Sequence, residues 1–90
     1  MSATLVVRHE VADYAAWRPA FESAAELRRT YGCTAGKVMR DPDNPRDLIV
    51  THDFPSVGQA RAFVADPGLR AAMADGGVMG IPRIEIFEDF

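Results

Sequence analysis

The chain has 90 residues, 48% of them hydrophobic and 26% charged, with a formal net charge of −3. That length allows one domain, residues 1–90, with a modest core that buries roughly 60–65% of the surface its unfolded chain exposes. The acidic balance argues against nucleic acid as the main partner, because phosphate contacts need clustered cations; here the basic residues, all Arg except Lys37, are scattered, and pairs such as Arg28-Arg29 read as solvated helix surface.

In chain order, the first residues show no basic segment followed by an apolar run, so no signal peptide is expected. No apolar stretch approaches the ~20 residues that span a bilayer, so no membrane partner is expected. Residues 4–11 predict a strand with Leu5, Val7, His9 and Val11 on one face and Thr4, Val6, Arg8 and Glu10 on the other. Asp13 predicts a helix N-cap, since its carboxylate can accept from the free amides of the first turn. The helix is expected to run to about residue 31, with Gly32 in the left-handed position past its end. Tyr14, Trp17, Phe21, Ala24, Leu27 (or Arg28) and Tyr31 recur at three- and four-residue steps and make one apolar stripe. Pro19 lies inside this helix, lacks an amide and crowds the carbonyl of Ala15. It predicts a short first turn over residues 13–17, then a bend.

Residues 33–40 predict a second strand. Cys33 is the single cysteine, so an internal disulfide is excluded and a reducing cytoplasm is the expected compartment. It reads as a small packing residue, because nothing around it in sequence would favour a thiolate. Asp41-Pro42-Asp43-Asn44-Pro45-Arg46 is a turn, rich in residues that bond their own backbone. Residues 47–54 predict a third strand, in which Leu48, Val50, His52 and Phe54 alternate with Ile49, Thr51 and Asp53. Ser56 caps a helix over residues 57–65, and Asp66-Pro67 restarts a short one that ends at Gly76-Gly77. Residues 78–82 read as a mobile connection between helix and strand, or alternatively as a lid with Met73 and Met79 as adaptable apolar contacts. They are not a phosphate loop, since no Lys-Ser or Lys-Thr follows. A last strand is expected over residues 83–89.

The order β-α-β-β-α-(α)-β predicts an α+β fold, the ferredoxin-like β-α-β-β-α-β sheet with helices on one face. The expected strand order is 4-1-3-2, with strands 1 and 3 side by side and parallel. A chain this short gains burial by pairing with a second copy, so a homodimer is expected.

Three pieces of sequence carry a resemblance to a known group: Val11-Ala12-Asp13-Tyr14-x-x-Trp17-Arg18-Pro19-x-Phe21, the Asp41-Pro42 turn leading into the third strand, and Ala60-Arg61-Ala62-Phe63 followed by Gly76-Gly77-Val78-Met79-Gly80-Ile81-Pro82. Together they resemble the small dimeric α+β barrel proteins, and within them the antibiotic-biosynthesis-monooxygenase-like group. The resemblance implies a homodimer whose sheets face each other, with helices outside and a small-molecule cleft between each sheet and its helices. It does not imply one activity, since such relatives include cofactor-free oxygenases, haem-degrading enzymes and isomerases.

His9 and His52 interrupt otherwise apolar strand faces and are the candidate catalytic residues. With strands 1 and 3 parallel, the two rings are expected at similar height on the face where the cleft lies. An imidazole pair there could take a proton from a phenol or an enolisable carbon, whose carbanion could then meet dioxygen. The alternative is that each ring caps the wet end of the core. Tyr14, Trp17, Phe21, Tyr31 and Met79 are the candidate substrate-binding residues, for a small apolar or aromatic ligand; the helix's core face is the simpler reading of the aromatic stripe. Arg8, Arg40 and Arg83 could hold a carboxylate, but ion pairing with Glu10, Asp47 and Glu85 is the plainer reading. No metal site is expected, because two His without a third ligand fall below the usual count. The function expected is a cofactor-independent monooxygenase or isomerase acting on an aromatic or polyketide-like molecule, with no cofactor. The alternative is a non-enzymatic small-molecule binder or structural dimer, and, weaker, a haem binder with His9 or His52 as axial ligand.

Overall fold

Alternation in the first strand becomes alternation in burial. In β1 (Ala3–Val11), Leu5, Val7, His9 and Val11 are buried, while Arg8 and Glu10 are exposed on the opposite face. The structure, a computed structural model, describes residues 1–90. After β1 come α1 (Tyr14–Ser23), α2 (Ala25–Thr30), β2 (Ala35–Arg40), β3 (Asp47–Phe54), α3 (Val57–Ala65), α4 (Pro67–Asp75) and β4 (Val78–Glu88).

The strands form one sheet in the order β2-β3-β1-β4, as expected for the ferredoxin-like arrangement. Every neighbouring pair is antiparallel, which corrects the expected parallel pairing of β1 with β3. The reason is the turn at residues 41–46. It reverses the chain between β2 and β3, so β3 runs against β1; the strands that share a direction, β1 and β2, have β3 between them. Asp41 Oδ1 accepts from the amides of Asp43 (2.8 Å) and Asn44 (3.1 Å), and Asn44 Oδ1 accepts from that of Arg46 (3.2 Å). These local bonds fix the reversal.

The first long helix is divided, but not where Pro19 predicts. Pro19 sits within α1, and the break comes at Ala24, with α2 restarting at Ala25. Ala15 and Pro19 are both exposed, so water can satisfy the carbonyl that Pro19 leaves unpaired. α2 ends in a Schellman motif. Gly32 has φ +84°, its amide donates to Arg29 O (2.9 Å), and the Cys33 amide donates to Arg28 O (3.0 Å).

Ser56 caps α3: its Oγ accepts from the Gln59 amide (3.2 Å) and donates to Gln59 Oε1 (2.9 Å). Ser56→Ala should cost about 1 kcal/mol of stability, read as a lower midpoint in urea unfolding. Asp66 then caps α4, accepting from the Gly68 amide at 2.7 Å.

The helices bury one face of the sheet. Leu5, Val7, Phe54, Ala60, Phe63 and Leu69 form one apolar cluster; Val11, Trp17, Leu48 and Val50 form the other. The opposite sheet face carries Thr4, Val6, Arg8 and Glu10 beside Ile49, Met39, Phe87 and Met79. Met39, Met79 and Phe87 are exposed there.

β4 begins earlier than expected. Residues 78–82 belong to the strand, so the mobile connection, and with it the lid, is corrected to part of the sheet. The register shifts between Arg8 and Glu10, and Gly80 takes φ +68°. This is a bulge, and it lies beside His9.

Candidate functional site

The helix-covered face of β1 and β3 sets the floor of a cavity. Val7 and Val50 are direct partners at its centre, while His9 faces Leu48 and His52 faces Leu5 in the register. The imidazoles therefore stand four residues apart along the sheet, roughly 13 Å. They do not form the level pair that parallel strands would have made; they mark the two ends of one cavity.

The roof comes from α1 and α2. Trp17 and Phe21 stack with centroids 4.9 Å apart, and they bridge the histidines: His9 to Trp17 is 5.8 Å and Phe21 to His52 is 6.3 Å. Ala20, Ala24 and Arg28 continue the roof, and Phe63, Leu69, Ala72 and Met73 wall it from α3 and α4. The spacing of the apolar stripe produced this roof, because the three- and four-residue steps keep one helix face over the sheet. The space inside is about 50 Å3 for the centre of a water molecule. That holds roughly three or four waters.

His52 is buried against Phe21, Phe54 and Phe63. Loss of hydration lowers its pKa to about 4, helped by the Arg28 charge and opposed by Asp53. It is therefore neutral at pH 7, with a lone pair available. Burial also lowers the His9 pKa, and His9 Nδ1 is enclosed with no hydrogen-bond partner. A buried polar atom left unpaired is uncommon and costly.

Beside His52 the cavity opens. The strand partner of His52 in β2 is Gly36, so no side chain covers the ring from that edge. A Cβ on Gly36 would lie 2.4 Å from the Thr51 carbonyl oxygen, so this close approach of β2 to β3 requires glycine. Past Gly36 lies a wider vestibule of about 490 Å3 between α1, α2 and β2. Phe21, Arg28 and His52 line both the cavity and the vestibule, so they form the doorway.

Arg28 is a site residue that the sequence offers only as an alternative to Leu27 on the apolar stripe. Beside Arg29 it reads as a solvated pair, yet it is half-buried, with its Cζ 4.2 Å from the Phe21 ring centroid and Nη1 donating to Phe21 O at 2.8 Å. The signal that finds it is phase: residues 14, 17, 21, 24, 28 and 31 keep the helical step, and Arg28 falls on the stripe.

The structure brings His9, His52, Trp17 and Phe21 together and leaves the other candidates outside the cavity. Tyr14 packs on the outer side of Trp17 at 5.9 Å and lies under Arg40, 4.9 Å from its Cζ. Tyr31 reaches Asp66 at 2.5 Å, tying the end of α2 to the start of α4. Met79 pairs with Glu10 on the opposite sheet face, half-exposed. Arg8 and Arg83 pair with Asp47 (2.8 Å) and Glu85 (3.0 Å) within the chain, as ion-paired strand residues.

No three His, Cys, Asp or Glu converge as metal ligands. The cavity does not fit a haem: both imidazoles are more than nine-tenths buried, and the space between them is far smaller than the macrocycle. No helix is long and apolar enough to cross a membrane.

No protein-family model matches the chain, and no curated protein does. Solved structures do. SnoaB, a cofactor-independent oxygenase from Streptomyces nogalater, is 16% identical with TM-score 0.78, over 99% of this chain and 93% of that one. A candidate antibiotic biosynthesis monooxygenase from Bordetella bronchiseptica is 13% identical with TM-score 0.81, over 99% and 97%. Another, from Caulobacter crescentus, is 19% identical with TM-score 0.77, over 99% and 90%. The chain thus has the ferredoxin-like α+β fold of the antibiotic-biosynthesis-monooxygenase-like proteins along its whole length.

Proposed function

We propose that the chain binds a small, flat, largely apolar molecule between sheet and helices and removes a proton from it, as a cofactor-independent oxygenase or isomerase of an aromatic or polyketide-like substrate. The observation that carries this reading is His52: a neutral imidazole at the doorway between an apolar cavity and an open vestibule. A neutral imidazole can accept a proton from a phenol or from a carbon flanked by carbonyls. Burial makes an isolated imidazolium costly here, so transfer is favoured when the new substrate anion stays beside the ring as its counter-ion. For an anthrone-like CH2, the carbanion then reduces O2; the methylene and O2 become a ketone and one water, with no other reductant. Without oxygen chemistry, returning the proton to another atom gives isomerisation. His9, with its unpaired Nδ1 at the far end, is the second group that can bond a polar substrate atom.

The fold of SnoaB, itself a cofactor-independent oxygenase, is consistent with this chemistry. We infer that two copies pair through the open sheet face, where Met39, Met79 and Phe87 are exposed, and that the protein works in the cytoplasm. Native mass spectrometry should give twice the 9.9 kDa chain mass. A monomer at micromolar concentration would contradict the pairing.

A second reading has its own support. The cavity offers only about 50 Å3 to the centre of a water molecule, as in a structural dimer or a binder without chemistry. Oxygen uptake separates the two. With 1,8-dihydroxyanthrone the enzyme reading predicts one O2 consumed per quinone formed, without added metal or flavin; the other predicts the rate of the buffer blank.

A further inference from the structure

The doorway carries a charge that the rest of the chain does not. Net charge is −3, yet the vestibule is lined by Arg18, Arg28, Arg29 and Lys37 and by no Asp or Glu. Arg18 and Arg29 are already paired, with Glu22 at 3.0 Å and Glu26 at 2.5 Å. Arg28 has no carboxylate partner. A half-buried cation without a counter-ion pays for lost hydration and gets nothing back from a neighbouring charge.

Its position is also fixed. The Schellman motif anchors its carbonyl through the Cys33 amide, and the Phe21 ring and carbonyl hold its guanidinium. Of the five N–H donors of a guanidinium, one is used on Phe21. The others are free at the boundary between cavity and vestibule. Such a fork matches a carboxylate in two parallel bonds and can converge two donors on the single oxygen of a phenolate.

We propose that the cleft selects an organic anion, with its flat apolar body in the vestibule against Phe21 and Val38 and its carboxylate or phenolate head on Arg28. This rests on the cleft reading above and adds the substrate class. Arg28 is then the residue that sets specificity, and it orients the body so that the reacting group faces His52.

Isothermal titration with 2-naphthoate and its neutral counterpart 2-naphthamide tests this. Naphthoate should bind at least tenfold more tightly. Arg28→Met should abolish the difference, Arg28→Lys should keep part of it, and Arg61→Gln, at an exposed cation elsewhere, should leave it unchanged. The comparison on the unaltered protein stands even where Arg28→Met does not fold. Equal affinities, or a preference that survives in folded Arg28→Met or falls equally in Arg61→Gln, overturn the anion assignment and leave the cleft intact. Binding of neither ligand removes the cleft reading, and this one with it.

Discussion

His52→Gln should lower turnover of 1,8-dihydroxyanthrone by about 10²-fold or more, the usual worth of a positioned general base. Gln matches the length of the imidazole and can hydrogen-bond, but it cannot take a proton at neutral pH. The loss should fall on kcat more than on KM, since the apolar walls that hold the ring are unchanged. His52 is the better of the two candidates because Gly36 leaves its flank open to the vestibule, whereas His9 lies enclosed at the far end. Unchanged kcat in folded His52→Gln would remove His52 from the chemistry.

Acid should destabilise the fold between about pH 6.5 and pH 4, by roughly 3 kcal/mol from His52 alone. Above pH 6.5 the imidazole is neutral both folded and unfolded, so it leaves stability independent of pH. Between the two pKa values the unfolded chain binds a proton that the folded chain refuses, and stability falls with pH. Below about pH 4 both forms are protonated and the dependence from this group ends. His9, with its pKa also lowered by burial, adds in the same direction. Urea unfolding at pH 7, 5.5 and 4 should show this loss, and His52→Gln should flatten most of it. Equal slopes in the two proteins would mean that His52 is solvated in the folded state.

Much of this fold is legible in local pattern. Alternation in residues 4–11 and 47–54 places the two floor strands, and Asp13, Ser56, Asp66 and Gly32 mark helix ends where the structure has them. Strand order follows from the element order. Strand direction is not local: the hairpin between β2 and β3 has to be carried through the topology, and one reversal turns a level histidine pair into two ends of a cavity. In residues 78–82, Gly80 and Pro82 read locally as loop residues, while pairing of Val78 and Met79 with β1 keeps them in the sheet. Pattern also cannot separate the two sides of the aromatic stripe. Trp17 and Phe21 face the cavity, while Tyr14 and Tyr31 sit past its ends, engaged by Arg40 and Asp66. Gly36 has no signal at all in sequence, because its importance lies in what stands opposite it across the sheet.

Nitrogen-15 NMR of the two imidazoles tests whether a neutral His52 stands at the mouth of a ligand cleft. Spectra at pH 7 should show both rings neutral, and adding 2-naphthoate should move the His52 resonances while the protein stays folded. An imidazolium signal for His52 at pH 7, or a bound ligand that shifts the open sheet face around Met79 and Phe87 and leaves His52 where it was, would contradict it.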